Sequence, residues 1–83
     1  MKRYGDRNRS SGVAYYDDGP DFIRVQFRYG RGEIYVYNYE IPGMADVEQM
    51  KTLAAAGSGL STYISQHVGT RFHHKDPPTL RLI

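Results

Sequence analysis

Eighty-three residues with a net charge of +2, 40% hydrophobic side chains and no cysteine describe one small domain. Without cysteine there are no disulfide staples and no thiolate metal centre, and no apolar run reaches the length of a membrane span. A polar start at Met1-Lys2-Arg3 adds no signal-peptide core, so the expectation is a cytoplasmic protein that needs no cofactor and makes no membrane contact.

Residues 1–10, MKRYGDRNRS, lack periodicity and set Lys2, Arg3, Arg7 and Arg9 against Asp6 alone, which reads as a mobile basic arm. Residues 11–75 are the expected domain. Ser11 to Asp17 is a first strand, closed by the turn cluster Asp17-Asp18-Gly19-Pro20-Asp21. Alternating character then marks strands near 22–29 and 33–40, and Pro42-Gly43 ends the sheet. From Met44 the period becomes helical: Val47, Met50, Leu53 and Ala54 share a face, Asp46 is a candidate N-cap and Gly57 a natural stop. Ser58 suits the cap of a second helix over Leu60 to Val68, with Leu60 and Ile64 inward. Arg71 to Lys75 is a short basic segment, and residues 76–83 are a Pro-Pro tail with apolar Leu80, Leu82 and Ile83. The predicted class is α+β, a three-stranded antiparallel meander (β-β-β-α-α) with two short helices on one face.

The hairpin FIRVQFRYGRGEIYVYNYEIP, residues 22–42, carries the functional signal. Arg24, Gln26 and Arg28 alternate with Ile23, Val25 and Phe27, and Tyr35, Tyr37 and Tyr39 alternate with Ile34, Val36 and Asn38. A two-residue turn at Arg31-Gly32 sets Arg28 opposite Tyr35, Gln26 opposite Tyr37 and Arg24 opposite Tyr39, making one mixed arginine and tyrosine face. A three-residue turn, Gly30-Arg31-Gly32, instead sets Phe27 opposite Tyr35 and Val25 opposite Tyr37, which sends the tyrosines to the core. The commoner two-residue turn is the expectation.

Arginines outnumber lysines eight to three, as suits bidentate phosphate contact, although a GC-rich genome enriches arginine equally. The mixed face is expected to bind a phosphate-bearing ligand: Arg24, Arg28 and Arg31 on phosphate, and Tyr35, Tyr37 and Tyr39 stacking. Ser58 and Gly59 at the second helix start are a second anion site, and Arg71 and Lys75 extend the positive rim. Catalysis is not expected, because Gly57-Ser58-Gly59 lacks the G-x-S-x-G spacing of a nucleophile elbow. Nor is a metal: His73 and His74 point to opposite sides of an extended segment, and His67 lies six residues before His73.

The ordered series Ser11-x-Val13, Tyr16-Asp17, Ile23-x-Val25-x-Phe27, a turn glycine, Tyr35-x-Tyr37 and Ile41-Pro42 resembles the KTSC domain family. Ala56-Gly57-Ser58-Gly59-Leu60, Tyr63-Ile64 and Phe72 continue the likeness, which spans residues 10–73. That family is named for its occurrence at the end of some lysyl-tRNA synthetases, with free-standing members in bacteria and their phages. The resemblance implies contact with RNA or nucleotides and supplies no established activity. A longer hairpin loop, the basic arm and the Pro-Pro tail are departures from its pattern.

Together these features predict a non-enzymatic binding domain for single-stranded nucleic acid or a nucleotide, the latter including an oligomeric nucleotide sponge. The alternative is a protein-interaction or inhibitor module of phage type, acting through a sheet edge or the C-terminal tail. The same tail is a candidate contact for a homo-oligomer.

Overall fold

The computed structural model describes residues 1–5 and 12–77. Strands β1 (Lys2–Arg3), β2 (Val13–Gly19), β3 (Phe22–Phe27), β4 (Ile34–Asn38) and β5 (His74–Asp76) form one antiparallel sheet in that order. Helix α1 (Met44–Ala56) and helix α2 (Leu60–Tyr63), which runs on into a π-helical turn (Ile64–Val68), connect β4 to β5. The expected meander is therefore the middle of a five-stranded sheet. Its α+β class stands, but the count of three strands was too low. The two added strands are two and three residues long, too short to show an alternating pattern.

Residues 1–5 of the expected basic arm take part in the fold. Lys2 pairs with Tyr16 and Arg3 with Tyr15, while residues 6–11 of the expected arm lie outside the described residues. Lys2 Nζ sits 3.0 Å from Asp18 Oδ1 and 5.1 Å above the Tyr16 ring. Tyr4 is buried, packs edge-on against Tyr16 at 6.5 Å and accepts a 3.2 Å hydrogen bond from the Leu60 N–H on its hydroxyl. A phenol from the other end of the chain thus satisfies a helix-start donor that a local cap was expected to serve. Ser58 is not that cap. Gly59 holds the position with a left-handed φ of 83°.

Gly57 ends α1 as expected, in a left-handed conformation (φ 69°). Its N–H reaches the Ala54 carbonyl at 3.1 Å and the Ser58 N–H reaches Leu53 at 3.3 Å, the paired bonds of a Schellman ending. A second constraint is tertiary: a Cβ on Gly57 would lie 2.9 Å from the Gly5 carbonyl oxygen. The start of α1 differs from expectation, because Gly43 is the N-cap and Asp46 lies within the first turn.

The core joins Val13, Tyr16, Ile23, Val25, Phe27 and Tyr37 of the sheet to Val47, Met50 and Ala54 of α1. Leu60, Ile64 and Val68 close it from the second helical segment. Each large aliphatic side chain buried here contributes about 1.5–3 kcal/mol. Lys51 ties α1 to the β2–β3 turn, donating to the carbonyls of Gly19 (2.8 Å) and Pro20 (3.1 Å). Residues 78–83, the apolar part of the expected tail, lie outside the described residues.

Tyr4→Phe is expected to lower stability by about 1–2 kcal/mol, since it leaves the buried Leu60 N–H unpaired. Gly57→Ala is expected to cost about 2–3 kcal/mol, combining a left-handed φ with the clash against Gly5. Urea unfolding measures both; wild-type midpoints would mean the chain start does not dock on the helices.

Candidate functional site: an aromatic cleft

The β3–β4 register decides which side chains meet. Ile23 pairs with Tyr37, Val25 with Tyr35, Arg24 with Val36 and Gln26 with Ile34. Tyr35 and Tyr37 therefore share the helix-covered face with Ile23 and Val25, while Arg24 and Gln26 lie on the opposite face. The mixed arginine and tyrosine face does not form. Residues 27–33 separate the last pair, a longer loop than either turn considered from the sequence, and its parity matches the three-residue one. Within it Gly30 and Gly32 take φ of 82° and 80°, and Gln26 Nε2 donates to the Gly32 carbonyl at 2.7 Å. Hydrophobic pattern was no guide to parity, because β4 is apolar on both sides: Ile34 is 2% exposed, Val36 7% and Tyr37 1%.

This register builds a cleft of about 490 Å³ between the sheet and the second helical segment. Phe27, Tyr29, Tyr35, Tyr37 and Phe72 supply its aromatic wall. Ile64, Ser65, Gly69 and Thr70 face them, and Lys75 completes the lining. Phe27 and Tyr29 stack at 5.2 Å with planes 22° apart, leaving Tyr29 67% exposed. Phe27 meets Tyr35 edge-on at 5.3 Å, and Tyr35 meets Phe72 edge-on at 5.0 Å. Opposite them, the Gly69 N–H bonds the Ile64 carbonyl at 2.6 Å, a widened turn of the kind found often at functional sites. From there the chain returns through Phe72 to β5, where Lys75 pairs with Tyr35.

Among the described residues, one cation belongs to this cleft. Lys75 Nζ lies 5.6 Å from the Tyr35 ring centre and 6.0 Å from that of Phe72, and 3.4 Å from Glu33 Oε2. Burial, with smaller contributions from Tyr35 and Tyr29, holds the Tyr37 phenol well above its ordinary pKa. Tyr37 is therefore a neutral hydrogen-bonding group throughout the physiological range.

Of the residues singled out from the sequence, Tyr35, Tyr37 and Lys75 come together here. Arg24 is across the sheet, 3.7 Å from Asp17. Arg28 and Arg31 are exposed on the hairpin loop to either side of Tyr29. Tyr39 donates to Glu48 Oε2 at 2.7 Å and does not line the cleft. Ser58 and Gly59 lie at the α2 start, where Tyr4 already takes the Leu60 N–H. Arg71 turns toward the helices, donating to Asp46 Oδ2 at 3.3 Å and to the His67 carbonyl. The His73 and His74 rings meet, with Nδ1 atoms 2.8 Å apart, instead of diverging. Among the described residues, no group of three His, Asp or Glu side chains is placed to hold a metal ion, and no helix is long and apolar enough to cross a membrane.

Tyr29 and Phe72 were not among the sequence candidates; an exposed tyrosine in a glycine-rich loop was the available signal for the first. Comparison with family models, curated proteins and solved structures finds no match.

Alkaline titration followed by tyrosinate absorbance tests the buried phenol. Because its folded pKa is raised, Tyr37 favours the folded state fully below the unfolded value of about 10, and that contribution fades as pH climbs above it. Fewer than the chain's eight tyrosines should ionise in the folded protein, the rest only on unfolding. Full ionisation near pH 10 with native circular dichroism would place Tyr37 in solvent.

Proposed function

We propose that this chain is a non-enzymatic binding domain whose aromatic cleft takes a phosphate-bearing ligand with a planar ring, a nucleotide or a base of single-stranded nucleic acid. The observation that carries this reading is the meeting of five aromatic side chains and one lysine around a single opening. Clefts of roughly 300–1,000 Å³ with apolar walls and a few polar groups are the usual seats of small ligands. A ring laid against such walls gains about 1–3 kcal/mol from stacking. The Lys75 ammonium, exchanging its exposed partner Glu33 for a phosphate, supplies the anionic contact. Arg28 and Arg31, flanking Tyr29 along the loop, are the next cations in sequence for a ligand that extends outward.

Kinship with the KTSC family is inferred from the ordered motif series alone, and fits contact with nucleotides or RNA without specifying an activity. The sheet-edge route of a protein-interaction module is less well supported, since edge strands β1 and β5 offer only two and three residues.

Fluorescence anisotropy with labelled nucleotides and mixed-sequence oligonucleotides at about 50 mM salt is the direct measurement. Tyr29→Ala is expected to weaken binding by about 5- to 100-fold and Lys75→Ala by about 3- to 10-fold. Arg24→Ala, on the far face, should leave affinity unchanged. Absence of binding to every member of the panel would overturn the reading.

A further inference from the structure

Building on that reading, we infer that the cleft is a pocket for one free nucleotide, with the base inserted between the aromatic wall and the π-helical turn and the phosphate on Lys75 in place of Glu33. Three independent features point away from a nucleic-acid strand. The first is the distribution of exposed aromatics. Strand binders set successive rings along a basic groove, covering about four or more nucleotides. Here Tyr29 is at the cleft, Tyr15 is exposed on the opposite face of the sheet beside Gln26, and Tyr39 is tied to Glu48. These rings do not form a track.

The second feature is the position of the cations. Arg24 faces away across the sheet, and Arg71 is engaged by Asp46 and the His67 carbonyl. Among the described residues, Lys75 is the one cation in the cleft lining, while Arg28 and Arg31 are exposed on the hairpin loop outside it. One fixed cation suits one phosphate group, whereas a strand needs a row of them.

The third is the chemistry of the lining. Tyr37, 1% exposed, joins Tyr29 and Tyr35 in setting phenols among the rings of one wall, and the hydroxyl residues Ser65 and Thr70 line the facing wall. Rings on one side and hydroxyls on the other match a base, which has a stacking face and a hydrogen-bonding edge. Glu33 is then a built-in competitor. Its carboxylate is 3.4 Å from Lys75 Nζ, and an incoming phosphate must displace it. The sign of its effect is diagnostic: removing the Glu33 charge strengthens an anionic ligand and weakens a cationic one held by the same rings.

Isothermal titration of the full chain with the four common nucleoside monophosphates, the matching nucleosides and a mixed-sequence DNA decamer tests this at about 50 and 200 mM salt. The expected result is one nucleotide per chain, bound at least about tenfold tighter than its nucleoside and than the decamer per site. Glu33→Gln should tighten nucleotide binding by about 2- to 5-fold. Ser65→Phe, which fills the cleft from an exposed helical position, should weaken it by about tenfold or more while the circular dichroism spectrum is retained. A decamer bound more tightly than any nucleotide, with a steep salt slope, would overturn the pocket for a free nucleotide and leave the broader reading in place. Weaker binding by Glu33→Gln, or unaltered binding by folded Ser65→Phe, would also overturn it. No binding by nucleotides or decamer would overturn both.

Discussion

The pairing of Val25 with Tyr35 and of Ile23 with Tyr37 is the constraint on which the rest of the molecule turns. It sends two phenols to the face covered by helices and places their ring area between sheet and helix. Because β5 then pairs Lys75 with Tyr35, the same register brings an ammonium to the edge of the aromatic wall. A slip of one residue would turn Tyr35 and Tyr37 outward and Ile34 and Val36 inward, and the cleft would lose two of its five rings.

The facing wall depends on the opposite end of the chain. Tyr4 reaches from beside β1 to the Leu60 N–H, and Gly5 lies against Gly57, so the first residues fix where the second helical segment starts. That segment is short, and its last residues are wound as a π-helical turn closed by the Gly69 N–H on the Ile64 carbonyl. The chain then turns back through Thr70 and Phe72 rather than packing flat on the sheet, and the gap between the two layers is the cleft. The shape of the cleft and the stability of the fold are thus coupled through contacts outside the cleft lining.

Charge is organised locally. A sequence pI near 9.0 suggests a basic surface, yet Lys2, Arg24, Lys51, Arg71 and Lys75 each have a carboxylate within 4 Å. Exposed pairs of this kind add little stability, on the order of 0–1 kcal/mol each. They do reduce the long-range field that nucleic-acid binders use to gather a strand. In the proposed function, an anion entering this cleft would exchange one partner of Lys75, Glu33, for itself.

Helix positions were legible in the amino-acid sequence because their signals are local. The spacing of Val47, Met50 and Ala54, the stop at Gly57 and the inward Leu60 and Ile64 all depend on neighbours a few residues away. Strands β2, β3 and β4 were legible for the same reason. The short strands β1 and β5, the Tyr4 cap and the hairpin parity were not, since each depends on partners distant in the chain or on a loop whose length period-two alternation does not specify. The sequence by itself determined the composition of the site: tyrosines and basic residues concentrated around one glycine-rich turn. Tertiary structure alone decided which of them meet, leaving Tyr35, Tyr37 and Lys75 together and Arg24 behind the sheet, because cross-strand register and not residue type sets the face each side chain occupies.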